Sequence, residues 1–315
     1  MTDFPQDGCR NAVLVVGVGR SGTTWLAEII NHDNHYRYLF EPLHPDEGIP
    51  LAARLKNATY LRPDYRDAAL ESVVYAMLTG QNSNAYVEQY NKNPDSPFCL
   101  VKSIRLGLAM NWLHARFPEM PIVYIVRFPG AVIGSQMRFK WGSGEFTLRY
   151  LLEQPELVED YLYPFVDVMV RAKDEFERRL YLWCAQLYVL TRQFPQDGPL
   201  HWLYYERLYA DPLAEARRLF AYLGKPFDEE AVARVVGRPS QTAWKSGKGN
   251  VMNRWRDDLT PAQLNRIVEA LSLFGLDTLY DQPSMPAEVC DWLRPIPAHA
   301  ALGMTVQRLA RRLKR

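Results

Sequence analysis

Four cysteines in 315 residues are too few and too scattered to organise a fold. They stand at Cys9, Cys99, Cys184 and Cys290, with no C-x-x-C pair, which excludes a zinc ribbon and argues against a disulfide scaffold. Reduced thiols of a cytoplasmic protein are the expectation. No apolar run reaches the length of about eighteen residues that a membrane span needs. Met1–Asp7 lacks a basic segment followed by an apolar stretch, so no signal peptide is expected. Charge of one sign is scarce as well: 37 Lys and Arg meet 36 Asp and Glu, for a net +1. That balance argues against a nucleic-acid coat, which needs a broad basic surplus. The balance is uneven, because Arg308, Arg311, Arg312, Lys314 and Arg315 crowd the end and leave the remaining chain at −4.

What the chain does have is hydrophobic residues at 48%, enough for a sizeable core. Short β-branched runs at 12–16, 36–40, 98–104, 121–126 and 200–204 read as strands. Helical patterns fill the intervals, with a long, broken helical stretch expected over 46–97 and helices and loops beyond Pro212. Alternation of this kind predicts an α/β layered fold with a central parallel sheet of about five strands and helical insertions, here read as one domain over 1–315.

The first strand runs into Gly17-Val-Gly-Arg-Ser-Gly-Thr-Thr24 and then a helix. Such a loop aims successive N–H groups, and the positive end of a helix, at a phosphate. Gly17 and Gly22 match the NTPase pattern G-x-x-x-x-G-K-[ST], but Thr23 stands where that pattern needs lysine. The strand 122–126 also carries no Asp for a metal-bound triphosphate. A second anion site is suggested by Arg127 at a strand end and Ser135 eight residues on, in the following helix. A P-loop kinase or NTPase, and a noncatalytic nucleotide-binding scaffold, stand as rival readings.

These residues resemble the sulfotransferases that use 3′-phosphoadenylyl sulfate (PAPS). Arg20-Ser-Gly-Thr-Thr-Trp-Leu26 is similar to their K/R-S-G-T-T-W-L loop, in the Arg form of the carbohydrate and bacterial branch. The resemblance implies a three-layer P-loop-nucleotide-type fold. It also implies that Gly19, Arg20, Ser21, Gly22, Thr23 and Thr24 hold the 5′-phosphosulfate, with Trp25 near adenine. Val126-Arg127-Phe-Pro129 through Ser135 resembles the 3′-phosphate motif, with Phe128 where the family usually has Asp or Asn. Tyr205-Glu-Arg-Leu-Tyr-Ala-Asp-Pro212 is similar to a further segment that puts Tyr205 near adenine, and Lys248-Gly249 to the loop over the 3′-phosphate. PAPS as donor, adenosine 3′,5′-bisphosphate (PAP) as product and no metal follow from the resemblance.

Sulfuryl transfer needs cations at the leaving phosphate and a base at the acceptor hydroxyl. Lys102 matches the lysine of the family's K-[ST]-x segment, but x is Ile104, where phenol and steroid enzymes carry a catalytic His. Glu41, in Tyr38-Leu-Phe-Glu41-Pro42-Leu-His44, resembles the proposed base of the carbohydrate branch, with His44 as second candidate. A strand-end Glu41 paired with Arg20 or Lys102 is the competing structural reading. The acceptor is expected to be a sugar or other alkyl hydroxyl, with a lipid alcohol open. Leu302, Val306, Leu309 and Leu313 share one helical stripe among the terminal cations. That helix packs on the body or rests peripherally on an anionic membrane.

Overall fold

The computed structural model describes residues 9–49, 55, 58–238, 252–281, 285–286 and 289. Five parallel strands form one sheet in the order β2-β3-β1-β4-β5. They are β1 (Ala12–Gly17), β2 (Arg37–Phe40), β3 (Cys99–Ser103), β4 (Ile122–Val126) and β5 (His201–Tyr204). All five expected strands are present; β1 gains Gly17, and each of the others is shorter than expected by one or two residues. The helices are α1 (Thr23–Ile30), α2 (Ala68–Leu78), α3 (Met110–Arg116), α4 (Pro129–Arg138) and α5 (Gly144–Leu152). The one-turn α6 (Pro155–Leu157) and α7 (Val166–Val170) follow, then the long α8 (Glu175–Gln193). After β5 come α9 (Tyr205–Ala210), α10 (Pro212–Tyr222), α11 (Glu229–Val236), α12 (Trp255–Asp258) and α13 (Pro261–Leu273).

Strand periodicity of two sorts the sheet residues onto two faces. Val13, Val15, Tyr38, Leu100, Val123, Ile125 and Leu203 pack with α1, α9, α10 and α11. Leu14, Val16, Leu39, Val101, Ile122, Tyr124 and Val126 pack with α2, α3, α4, α8 and α13. Both faces are covered, so the strands read as continuous apolar runs and the fold has three layers, α/β/α. Each fully buried Leu, Ile or Val contributes about 1.5–3 kcal/mol. The connections leave β1 to one side first and to the other later, so the strand order reverses beside β1. In open α/β sheets that reversal, at the carboxyl ends of the strands, opens the ligand crevice. No described helix is long and apolar enough to cross a membrane.

The expected helical stretch over 46–97 is corrected: its described part holds one helix, α2, and otherwise turns and loops. The reason is local. Asn side chains there compete for backbone groups. Asn84 Oδ1 accepts from Val87 N–H (2.9 Å), and Asn91 Oδ1 from both Asn93 N–H (3.1 Å) and Tyr38 N–H (3.0 Å). With Phe40 N–H donating to Val87 O (2.8 Å), this loop satisfies the outer edge of β2 and fixes the strand end that carries Glu41. The terminal stripe at 302–315 lies outside the described residues.

Candidate active site

The loop between β1 and α1 is shaped by two glycines whose positions crowd any side chain. A Cβ on Gly17 would stand 2.7 Å from the Ile125 carbonyl oxygen, so β1 passes β4 more closely than a side chain allows. Gly22, the N-cap of α1, has φ +99°, and its Cβ would meet the Tyr205 ring at 2.8 Å. Arg20 between them has φ +81°, a conformation costing an L-residue roughly 1–2 kcal/mol. Strain of this kind persists where the surrounding contacts hold it. Those contacts are Ser21 N–H to Val18 O (3.0 Å) and Gln136 Nε2 to Gly19 O (2.9 Å). The first turn of α1 has no acidic residue and no side-chain cap, leaving its N–H groups for a ligand. Ser21 is buried, and its Oγ finds no partner among the described residues.

A second group of donors meets the first. Arg20 Nε donates to Ser135 Oγ at 3.0 Å, and Arg127 Nη1 to the Arg20 carbonyl at 3.1 Å. The Arg127 guanidinium lies 3.9 Å from the centroid of the Tyr205 ring, and Tyr205 in turn stands 5.6 Å from Trp25. Arg127 Nε is buried without a hydrogen-bond partner, and neither arginine is ion-paired among the described residues. Burial, then the charges of Arg127 and Arg138, hold the Arg20 pKa below its ordinary value. Two converging guanidiniums without a counter-ion among the described residues, and a hydroxyl without a partner there, suit a ligand with more than one anionic group.

Parallel pairing of Phe40 with Lys102 places Glu41 across from the end of β3. Glu41 N–H donates to Lys102 O (2.9 Å), while Glu41 itself sits at φ +45° with 3% exposure. Its Oε1 accepts from Lys102 Nζ; its Oε2 accepts from Arg105 Nη1 (2.9 Å) and from the Ile104 backbone N–H (3.3 Å). Lys102 Nζ also rests over the Phe40 ring. Of the two expected partners of Glu41, Lys102 is present and Arg20 is not; Arg105 takes the other side. His44 is occupied differently. Its Nδ1 accepts from Asp46 N–H (3.4 Å) and Glu47 N–H (3.2 Å), which makes that nitrogen the cap of its own turn.

A family model described as "Sulfotransferase family" matches residues 12–229, which span all five strands and the helices from α1 to α10. The chain belongs to the sulfotransferase family. Among solved structures it is similar to the sulfotransferase domain of the Synechococcus PCC 7002 olefin synthase, at 17% identity and TM-score 0.46. That match covers 86% of this chain and 95% of the other. A Mycobacterium avium sulfotransferase is 15% identical (84% and 76% covered, TM-score 0.42). A mouse sulfotransferase complexed with PAP is 17% identical (90% and 88% covered, TM-score 0.41). Comparison with curated proteins finds no match. The protein is thus a sulfotransferase, and the kinase reading is set aside.

In this sulfotransferase the unusual Phe128 is a core residue. It is fully buried, 4.8 Å from the Trp255 ring and 6.4 Å from that of Tyr280. It supplies no side-chain cap to α4; instead its backbone N–H donates to Glu206 Oε1 at 2.8 Å. Glu206 is buried, and burial pushes its carboxyl up to about 7, against the pull of Phe128 N–H and Arg127. Arg105, Gln136 and Glu206 were not singled out in the sequence. Arg105 directly follows the K-[ST]-x segment, and Glu206 lies inside the Tyr205 motif, so both carried a positional signal; Gln136 carried none. Lys248 and Gly249 lie outside the described residues. Among the described residues no cluster of three His, Cys, Asp or Glu could hold a metal.

Proposed function

We propose that this sulfotransferase moves the sulfuryl group of PAPS to an alkyl hydroxyl, of a sugar or a similar alcohol, with Glu41 as general base. The observation that carries the reading is the convergence of Glu41, Lys102 and the phosphate loop at the carboxyl end of the sheet. Gly19, Arg20, Ser21, Gly22, Thr23 and Thr24 would hold the 5′-phosphosulfate, with Arg127 and Ser135 on the 3′-phosphate. Trp25 and Tyr205 would flank the adenine. Arg20 and Arg127, without an ion pair among the described residues, and Ser21 Oγ and Arg127 Nε, without a hydrogen-bond partner there, fit that assignment.

PAPS supplies the electrophilic sulfur: the acceptor oxygen bonds to it as its bond to the 5′-phosphate breaks, the electron pair leaving on phosphate. The residues of the chain do the rest. Glu41 takes the hydroxyl proton on a carboxylate oxygen. Lys102 and Arg20 place positive charge where the transferring and leaving oxygens gain negative charge. Ile104 gives the position of the phenol-type base no proton chemistry, which returns that task to Glu41. His44 has its Nδ1 committed to its own turn, which leaves it the second candidate.

The test has two arms. Calorimetry should show PAP binding more tightly than ADP or ATP without added metal. With labelled PAPS and a panel of sugar and alkyl alcohols, Glu41→Gln should lose at least a hundredfold in turnover and His44→Ala less than tenfold, given the range for general bases of about 10²–10⁴. Wild-type turnover in Glu41→Gln would remove the assignment. Sulfation confined to lipid alcohols would redirect the substrate class.

A further inference from the structure

The pairing of Glu41 poses a conflict that Arg105 resolves. Lys102 is asked to face the transferring group, yet its Nζ is tied to Glu41 Oε1. A buried carboxylate abandoned by its only cation would be strongly disfavoured. Glu41, however, has a second cation. Arg105 Nη1 reaches Oε2 at 2.9 Å, and the Ile104 N–H adds a neutral donor to the same oxygen. The two cations come from one strand end, three residues apart, and grip opposite oxygens of one carboxylate. Arg105 is itself mostly buried, and its Nε finds no acceptor among the described residues, so Glu41 is the acceptor that holds it.

We propose that Arg105 is a positioning residue: the permanent counter-ion of Glu41, which frees Lys102 to turn from the carboxylate to the sulfuryl group during transfer. The inference rests on the reading of Glu41 as base and adds the device that keeps Glu41 paired and aimed while Lys102 is elsewhere. A single cation could not do both tasks. The planar guanidinium suits the stationary one, because it cannot lose its proton and bonds along fixed directions, whereas the flexible lysine suits the mobile one.

A double-mutant cycle on the ligand-free protein tests the pairing without any turnover. Lys102→Met leaves the Arg105 pair, Arg105→Gln leaves the Lys102 pair, and the double variant leaves Glu41 with neither. Each single variant should shift the melting temperature by a few degrees at most, and the double variant by clearly more than their sum. Additive shifts would overturn the shared-carboxylate arrangement. The catalytic arm uses PAPS hydrolysis, with water as the probe acceptor, and PAP calorimetry. Arg105→Gln should lower kcat at least tenfold with PAP affinity within threefold of wild type, and Arg105→Lys should recover most of the loss. Wild-type kcat in Arg105→Gln, in an enzyme that Glu41→Gln inactivates, would sink the proposal while leaving the base in place. Turnover surviving in Glu41→Gln would instead remove the base, and this proposal with it. Loss of PAP affinity in step with kcat, without rescue by lysine, would show a structural role only and overturn it too.

Discussion

Arg20 Nε and Ser135 Oγ are hydrogen-bonded at 3.0 Å, joining the phosphate loop to α4 across 115 positions of sequence. The bond ties together two anion sites that the chain builds separately, each after its own strand. It also keeps a desolvated guanidinium edge satisfied until a ligand arrives. Ser135→Ala removes both the hydroxyl and the tether. A hydrogen bond to a charged group is worth about 1.5–3 kcal/mol, so PAP affinity by calorimetry should fall roughly tenfold or more. The melting temperature should hardly move, because Ser135 is only partly buried on the helix. Unchanged affinity would take Ser135 out of the site.

Gly22 offers a sharper test, because two effects can be separated. In Gly22→Ala the backbone stays at φ +99° and the new methyl meets the Tyr205 ring, which is buried between Trp25 and Arg127. Gly224→Ala imposes a similar left-handed strain at φ +61° with nothing within 4 Å of the methyl. Gly224→Ala should lose about 1–2 kcal/mol of stability from this strain, and Gly22→Ala at least as much. Only Gly22→Ala should also lose PAP binding, by at least tenfold, as the ring shifts and takes Arg127 with it. Equal PAP affinity in the two proteins would show that the ring does not position the arginine.

How much of this was legible in the residues differs from element to element. The strands were, since runs such as Val13–Val16 and Ile122–Val126 are apolar on both faces and end at glycine or arginine. The path of the β1–α1 loop was, since glycines at that spacing after a strand permit a tight turn into a helix. The neighbours that hold the site were not. Glu41 meets Arg105 only because β2 pairs with β3 in a register that no local pattern encodes. Asn91 closes the edge of β2 from 53 positions away, in a stretch whose composition suggested broken helix. Gln136 clamps the Gly19 carbonyl, though nothing distinguishes it from any other polar residue on a helix.

Glu206 makes stability depend on pH in a definite direction. Its carboxyl is raised to about 7 from an ordinary 4.5 by burial, so the folded protein holds a proton that the unfolded chain gives up. The stability gained from it is complete below pH 4.5 and is lost as pH rises toward 7, on the order of 3 kcal/mol in all. His201 acts oppositely: burial, then Arg207 and Arg218, lower it to about 4, so its contribution is lost as pH falls from 6.5. The two overlap, which makes the difference between Glu206→Gln and wild type the clean readout. Relative to wild type, the variant should gain stability steadily between pH 5 and 7 in urea denaturation. A difference that stays flat across that range would show that Glu206 is ionised throughout.

Phe128 is where the family's usual Asp or Asn has been given up, and the structure explains why that change cannot simply be reversed. The ring is fully buried against Trp255 and Tyr280, two side chains from the C-terminal helical region, so it staples that region to the turn bearing Arg127. Asn at this position would leave a cavity and bring a polar amide into an apolar site. Emptying a buried Phe site costs about 3–5 kcal/mol before the amide is counted. At roughly 2–4 °C per kcal/mol for a domain of this size class, Phe128→Asn should lower the melting temperature by about 10 °C. Phe128→Leu, which keeps most of the volume, should lose less than half as much. PAP affinity should fall with Asn and survive with Leu, because the Phe128 N–H bond to Glu206 and the Arg127 turn depend on the ring staying seated. An Asn variant that melts with the wild type would mean that Trp255 and Tyr280 pack without it, and that α4 has regained a cap the ring had displaced.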